Sequence, residues 1–544
     1  MLYNVLITFI YYSFCLWLQH DATMNPVGWL RRELKEFKWS DGYVRLTLAV
    51  IVVAALLRFA LAALSHPAGD SCWHLSVARF MAENGRIPFD QSFGIVDRQF
   101  FSAAPLFHFV AASVYRFFSL FSPAAAEFAV KLVSPLFGSL TLPFVFLLAK
   151  KLYDSRTAFF ATLFVAFLPL HINSSVVSFV DSLTTLLAVL AVYFLASRKI
   201  FLSAIFIGLG MEAKQTMLVL APFFFLVLLY YYRNNLRVFF SKSIISGIVI
   251  AIIGLPWFIR NYLLLGNPFW PFLSGFFGGI TLHDELGSVP AAFSLAHLFS
   301  FGSLSRFYME LFGAPLGSLS SLSFVSLPFS GAIVAAWLAI IMVFFVPVAV
   351  FVVFVARHHK NKRLWLVYGW LVAFLLLEAV FIVTTGGLVS ARYFLPAVPA
   401  LALLWASGFS AILRKAGTYR IFNIKLSTVV VIVLVGSILT FAAVESAKTV
   451  IAANAWSAYS ADFSWIRENT PKDALIGYNG QCMSYNVHRF SNYNLNKVDY
   501  VWVNQNFRLE PGSIVPESKL QQIMEDFTLI YQNDATGTDI YKRK

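Results

Sequence analysis

Residues 46–64 read LTLAVIVVAALLRFALAAL, and residues 333–355 read IVAAWLAIIMVFFVPVAVFVVFV, with no charge in the second run. About 20 apolar residues suffice to cross the hydrocarbon core of a bilayer. Runs of this kind recur along the 544 residues, and they explain a composition that is 59% hydrophobic, 17% aromatic and 12% charged. Soluble domains carry about 25% charged residues. The deficit therefore reflects repeated membrane spans rather than one enlarged core.

The net charge of +14 does not point to nucleic acid. The basic residues fall in short clusters between apolar runs, at 31–45, 150–156, 198–199, 233–242, 357–363 and 414–425. That is the pattern of cytoplasmic loops. Only Cys15, Cys72 and Cys482 are present, which excludes a disulfide scaffold and a zinc knuckle. Cys72 and Cys482 both fall on the expected outer side, and pairing between them is open on sequence grounds. The first eighteen residues lack a basic leader and a small-residue cleavage site, so they do not read as a signal peptide. Residues 1–23 form either an extra helix or an extension ahead of a start at Met24.

The chain must cross an even number of times between consecutive basic clusters. A span at 46–64 goes out and one at 130–148 returns. The run 105–121, which carries His108 and Arg116, then cannot cross as well. It reads as a helix lying at the outer interface. Residues 66–128 thus form one long external loop. Further spans follow at 157–172, 176–196, 200–213, 217–231 and 243–257. Beyond a second external stretch at 260–328 come 333–355, 364–384, 394–413 and 428–443, giving about eleven spans in all. The fold expected is an all-α polytopic membrane domain over 24–451. At 452–544 the composition changes, and short alternating runs at 474–478 and 500–503 predict a small external α/β domain.

Ionisable residues gather at the predicted outer ends of spans. Asp70 lies just beyond the first, and Asp181 starts the fourth. Lys214, Arg260 and Arg392 occupy other outer turns. Cations there oppose the positive-inside bias, and a shared anionic ligand such as a lipid phosphate accounts for them jointly. The alternative is that each pairs with a nearby acid. Asp70 suits a general base, and equally an N-cap for a helix over 71–82. Asp70 and His74 share a helical face. With His283, Asp284 and Glu285 they offer oxygen and nitrogen donors to a divalent metal, against the alternative of a solvated polar loop. Glu378 falls within an apolar span, as a pathway residue or as a hydrogen-bonded structural acid. Walker, nucleophile-elbow and zinc-protease motifs are absent.

Several segments, in order, resemble GT-C class glycosyltransferases of the branch that holds protein O-mannosyltransferases and the lipid A aminoarabinose transferase. The first is Gly69-Asp70-Ser71-Cys72-Trp73-His74, followed by Glu83-Asn84-Gly85. Next come Ala104-Pro105-Leu106-Phe107-His108, Phe179-Val180-Asp181-Ser182-Leu183 and Gly208-Leu209-Gly210-Met211-Glu212-Ala213-Lys214. Pro256-Trp257-Phe258-Ile259-Arg260-Asn261-Tyr262 is the most distinctive, and Arg392-Tyr393-Phe394-Leu395-Pro396 is the last. The likeness runs over about 45–473. The family often carries a second acid directly after the first, where Ser71 stands here. The Trp-Trp-Asp-Tyr-Gly motif of oligosaccharyltransferases is missing, which argues against en bloc oligosaccharide transfer.

The resemblance implies a polyprenyl-phosphate monosaccharide donor, of the dolichyl or undecaprenyl kind, and a protein, glycolipid or glycan acceptor. It implies that Asp70 is the catalytic or acceptor-orienting carboxylate. Lys214, Arg260, Arg392 and Arg98 would hold the donor phosphate, with Asp181, His74, Asn261 and Tyr393 in support. The resemblance makes no cofactor certain and leaves a divalent metal open. A lipid or sugar transporter is the competing reading, as is a non-catalytic subunit of the same fold. Transporters commonly show repeats and broken helices at the midplane. Here the polar groups gather at one face.

Overall fold

The computed structural model describes residues 40–278, 364–425 and 455–544. It has breaks at 68, 90–92, 94–102, 271–272, 386–390, 417–419, 422–423, 479, 493, 506, 508 and 510–513. The N-terminal extension at 1–23, the expected span at 333–355 and all but positions 428 and 436 of that at 428–443 lie outside the described residues.

Helix α1 (Gly42–Leu64) begins where the Asp41 carboxylate accepts the Tyr43 N–H at 2.9 Å, satisfying one of the donors a helix start leaves open. Helices α2 (Asp70–Asn84) and α3 (Leu106–Ser119) follow in the first loop. Ser122 then caps α4 (Pro123–Lys131), whose first residue is proline, a position where the missing N–H costs nothing. The chain continues through α5 (Val133–Leu152), α6 (Ser155–Phe167) and α7 (Pro169–Val176). Pro169 interrupts the hydrogen-bond ladder, and α7 leaves α6 at 55°. Arg58 of α1, fully buried, donates to the Ala166 carbonyl at that break (2.7 Å) and to the Ala54 carbonyl (3.0 Å). It also meets His171 Nδ1 at 2.7 Å.

The next elements are α8 (Asp181–Ala196), α9 (Ile200–Ala213), a 3-10 turn (Gln215–Val219), α10 (Leu220–Tyr232), α11 (Leu236–Gly254) and α12 (Pro256–Leu265). A Cβ on Gly208 of α9 would lie 2.8 Å from the Ile253 Cβ of α11. Only glycine lets these two helices approach so closely. After α13 (Leu364–Thr385), a second 3-10 segment (Ala391–Ala397) leads into α14 (Val398–Ala416). Helix α8 packs between α5 and α9 and also against the second 3-10 segment, so it is the axis of the bundle.

Among the described residues, five helices are long and apolar enough to cross a membrane: Gly42–Leu64, Pro123–Leu152, Gln215–Tyr232, Leu236–Gly254 and Ala391–Arg414. The bent α6–α7 pair gives a sixth, and Asp181–Ala196, Ile200–Ala213 and Leu364–Glu378 are shorter apolar helices. Each coincides with a span expected from the sequence. Their outer faces carry large apolar side chains such as Val52, Val53 and Leu56 on α1 and Phe240, Ile244 and Ile248 on α11. Water does not tolerate such continuous patches; lipid does. The chain is an integral membrane protein. Helix α3 is not among the crossing helices. It buries Phe107, His108, Ala111 and Tyr115 against α2 and exposes Phe117, as an interfacial helix does.

Residues 455–544 contain α15 (Ser460–Asn469), α16 (Gln481–Val487) and α17 (Glu517–Asp526) around a five-stranded sheet. Its strands are β1 (Leu475–Gly477), β2 (Phe490–Asn492), β3 (Tyr500–Val503), β4 (Phe527–Asn533) and β5 (Thr538–Arg543), in spatial order β2-β1-β3-β5-β4. The β1 strand pairs in parallel with β2 and β3, while β5 runs antiparallel to β3 and β4. Asp462 of α15 is fully buried and accepts from Tyr531, Asn533, Thr536 and Thr538. That set of bonds ties the helix to the β4–β5 hairpin.

Candidate active site

Four segments far apart in the sequence bring their polar ends together. The first is the start of α2. Gly69, at φ +53°, turns the chain, and the helix begins at Asp70 itself without a side-chain cap. The N-cap role open to Asp70 on sequence grounds is thus not the one it takes. Its Oδ2 instead accepts from Arg392 Nη2 at 2.8 Å. Arg392 lies in the second 3-10 segment, which packs against the start of α8. There the Arg392 Nε is 3.8 Å from Asp181 Oδ2. The other Asp181 oxygen accepts from Lys214 Nζ at 2.5 Å, from the turn after α9.

Two acids and two cations therefore form a chain, Asp70–Arg392–Asp181–Lys214. Aromatic faces enclose it. The Lys214 ammonium lies 4.2 Å from the Tyr393 ring centre, and the Arg392 guanidinium lies 4.6 Å from that of Phe179. Asp181 is the deepest member, 2% exposed, and Asp70 the most open, at 32%. The deep pair is a fixed support, and Asp70 is the open end where a substrate could meet a carboxylate. Lys214 and Arg392 are both ion-paired, so a phosphate would have to share them with carboxylates.

Arg260 and Asn261 belong to α12. Arg260 donates to Asn261 Oδ1 at 2.9 Å and lies over the rings of Trp257 (4.4 Å) and Phe89 (5.7 Å). Trp257 packs with Trp73 and Val77 of α2, which sets α12 beside the same loop. His74 pairs with a second histidine. Its Nδ1 meets His108 Nε2 of α3 at 2.8 Å, and burial pushes the His108 imidazole down to about 3. Among the described residues no group of three His, Cys, Asp or Glu could hold a metal. Arg98, His283, Asp284 and Glu285 lie outside the described residues.

Two further features tie down α2, and a third joins α9 to α12 beside it. Cys72 and Cys482 form a disulfide that joins α2 to α16. Arg79 of α2 donates to Glu127 of α4 at 2.9 Å and to the Tyr485 carbonyl at 3.2 Å, and the Tyr485 hydroxyl donates to Glu127 at 2.8 Å. Glu212, buried at the end of α9, accepts the Trp257 N–H at 3.2 Å. The Arg79–Glu127–Tyr485 hub and the Glu212 contact have no local sequence signature, because each joins residues that only the fold brings together.

Comparison with known proteins follows the same outline. The family described as dolichyl-phosphate-mannose-protein mannosyltransferase matches residues 102–259, which include Asp181 and Lys214. The structure of ArnT from Cupriavidus metallidurans bound to undecaprenyl phosphate superposes with a TM-score of 0.55 at 13% identity. That match covers 92% of this chain and 98% of ArnT. The archaeal oligosaccharyltransferase AglB from Archaeoglobus fulgidus, in complex with an inhibitory peptide and a dolichol-phosphate, gives 0.53 at 15% identity. It covers 92% of this chain and 74% of AglB. No curated protein matches the chain by sequence. The chain has the fold of the GT-C class of glycosyltransferases.

Proposed function

We propose that the protein is a glycosyltransferase that moves a monosaccharide from a polyprenyl-phosphate donor to an acceptor hydroxyl on the non-cytoplasmic face, with inversion. The observation that carries this reading is the chain Asp70–Arg392–Asp181–Lys214, in which an accessible carboxylate and a guanidinium share one contact at the mouth of a membrane bundle. The bound polyprenyl phosphates of ArnT and AglB support the class of donor.

The chemistry asks little of the protein beyond position and charge. The acceptor oxygen attacks the anomeric carbon, and the bond from that carbon to the phosphate oxygen breaks. The phosphate leaves with the electron pair, and the acceptor proton passes to Asp70. Arg392 contributes to both halves. A donor phosphate competes with Asp70 for its guanidinium, and taking it leaves the Asp70 carboxylate to meet the acceptor. Arg392, with Lys214 behind it and Arg260 on the α12 side, then stabilises charge growing on the leaving phosphate. Asp181 is a positioning residue that holds both cations. Helices α2 and α3 of the first external loop shield the reaction from water.

The test is transfer of radiolabelled sugar from a polyprenyl-phosphate donor by the reconstituted protein, across a panel of sugars and acceptors. Asp70→Asn should lower turnover by about 10²–10⁴-fold, the usual worth of a general base, while the donor still binds. Full activity in that variant would remove Asp70 from the reaction.

A further inference from the structure

A cavity lies beside α2. It holds about 540 Å³ and is bounded by α2, the segment after it, α15, α16 and β2. Its lining carries five basic side chains, Arg79, Arg86, Arg467, Lys472 and Arg489, against the two acids Glu83 and Asp473. Arg79 is neutralised by Glu127. The other four basic groups form no ion pair with a carboxylate among the described residues. Arg489, buried in the floor, spends its guanidinium on neutral partners: the carbonyls of Arg467, Thr470, Val487 and His488 and the Thr470 hydroxyl. Burial, and the nearby Arg467 and Arg79, hold it below the usual arginine range, against an opposing pull from Asp473. With Arg79 paired to Glu127, four cations face the two lining acids Glu83 and Asp473, and this excess of positive charge favours an anion.

The rest of the lining narrows the class. Phe80, Phe93 and Phe490 form an aromatic wall with ring centres 5.6–6.2 Å apart. Arg86 lies over Phe80 at 5.1 Å. Ser76, Asn84 and Ser484 add neutral hydrogen-bonding groups. An apolar wall, neutral hydroxyl partners and rim cations together suit a sugar ring that bears a charged substituent. The cavity also has a fixed relation to Asp70. Ser76 and Asn84 stand six and fourteen residues along the same helix, roughly 9 and 21 Å at 1.5 Å per residue.

We propose that this cavity is a distal acceptor subsite that binds a saccharide carrying carboxylate or phosphate, and that α2 sets its distance from Asp70. The inference rests on the glycosyltransferase reading, since it assigns the ligand to the acceptor side. Arg86 and Lys472, both exposed at the rim, supply the recognition. Arg489 supplies fixed positive potential from below.

The test is equilibrium binding to the full chain in nanodiscs, with no transfer step. The probes are an oligogalacturonate, mannose 6-phosphate, a neutral oligosaccharide of matched length, inorganic phosphate and an oligo-aspartate peptide. The expected result is binding of one or both charged saccharides at least tenfold tighter than the neutral one. That preference should disappear in Arg86→Ala/Lys472→Ala and survive in Asp70→Asn. The oligogalacturonate and mannose 6-phosphate arms separate carboxylate from phosphate. Equal binding of the neutral probe, no binding at all, or no effect of the double variant would overturn the proposal. So would inorganic phosphate or the acidic peptide binding as tightly as the charged saccharides. Because binding is read without turnover, loss of the subsite and loss of the transferase reading give different results: transfer with no saccharide preference rejects the subsite alone.

Discussion

Asp181 is almost wholly buried and meets Lys214 directly and Arg392 at longer range, so neither partner can be removed cheaply. Breaking a buried ion pair from one side leaves an uncompensated charge, at about 3–5 kcal/mol. Lys214→Met should therefore lower the thermal midpoint of the purified protein markedly, and Lys214→Met/Asp181→Asn should recover most of the loss. A single variant as stable as the parent would show that the pair is not a support. The same residues mark the limit of what the sequence discloses at this scale. Charges stranded at the ends of apolar runs are legible as Asp70, Asp181, Lys214 and Arg392, because few other positions in a 12%-charged chain carry charge there. Which acid meets which cation is not legible. It depends on how α8 packs against the 3-10 segment at Ala391–Ala397, a contact with no local pattern.

Helix α2 is the element on which the account turns. Asp70 stands at its start, Cys72 pins it to α16, and Arg79 anchors it to Glu127 and Tyr485. Removing the disulfide by Cys72→Ser/Cys482→Ser should cost about 2–5 kcal/mol of stability. It should also slow transfer, since one of the ties that orient Asp70 is gone. Unchanged kinetics together with an unchanged melting curve would reject a role for the link. His108 makes a second prediction about this element. Its folded-state value of about 3 lies below the ordinary 6.5, so the unfolded chain takes up a proton first. The neutral form's contribution is complete above about pH 6.5 and is lost as pH falls toward 3. Melting temperatures between pH 7.5 and 4.5 should fall for the parent and fall less for His108→Gln. Parallel curves would contradict the assignment. The sequence places a helix over 71–82, and the structure extends it to Asp70–Asn84, but the Arg79–Tyr485 contact spans 406 residues. No periodicity announces such a partner.

At the scale of the whole molecule, hydropathy and the parity of basic clusters carry most of the information. Every expected span that falls on described residues is a helix there, and parity alone keeps α3 out of the crossing set. The bend between α6 and α7 was hidden inside an unbroken apolar run, because a proline in such a run marks a bend only if another chain relieves the freed carbonyls. Arg58 does that here. The fixed claim is that Asp70 and Arg392 lie on one face of the membrane, around a lipid-linked phosphate. Membrane-impermeant thiol labelling of Asp70→Cys and Arg392→Cys, each in a Cys15→Ser background where Cys72 and Cys482 stay bonded, measures it. Both should label from the non-cytoplasmic side, with protection by added polyprenyl phosphate. Labelling from opposite sides, or no protection, would contradict it.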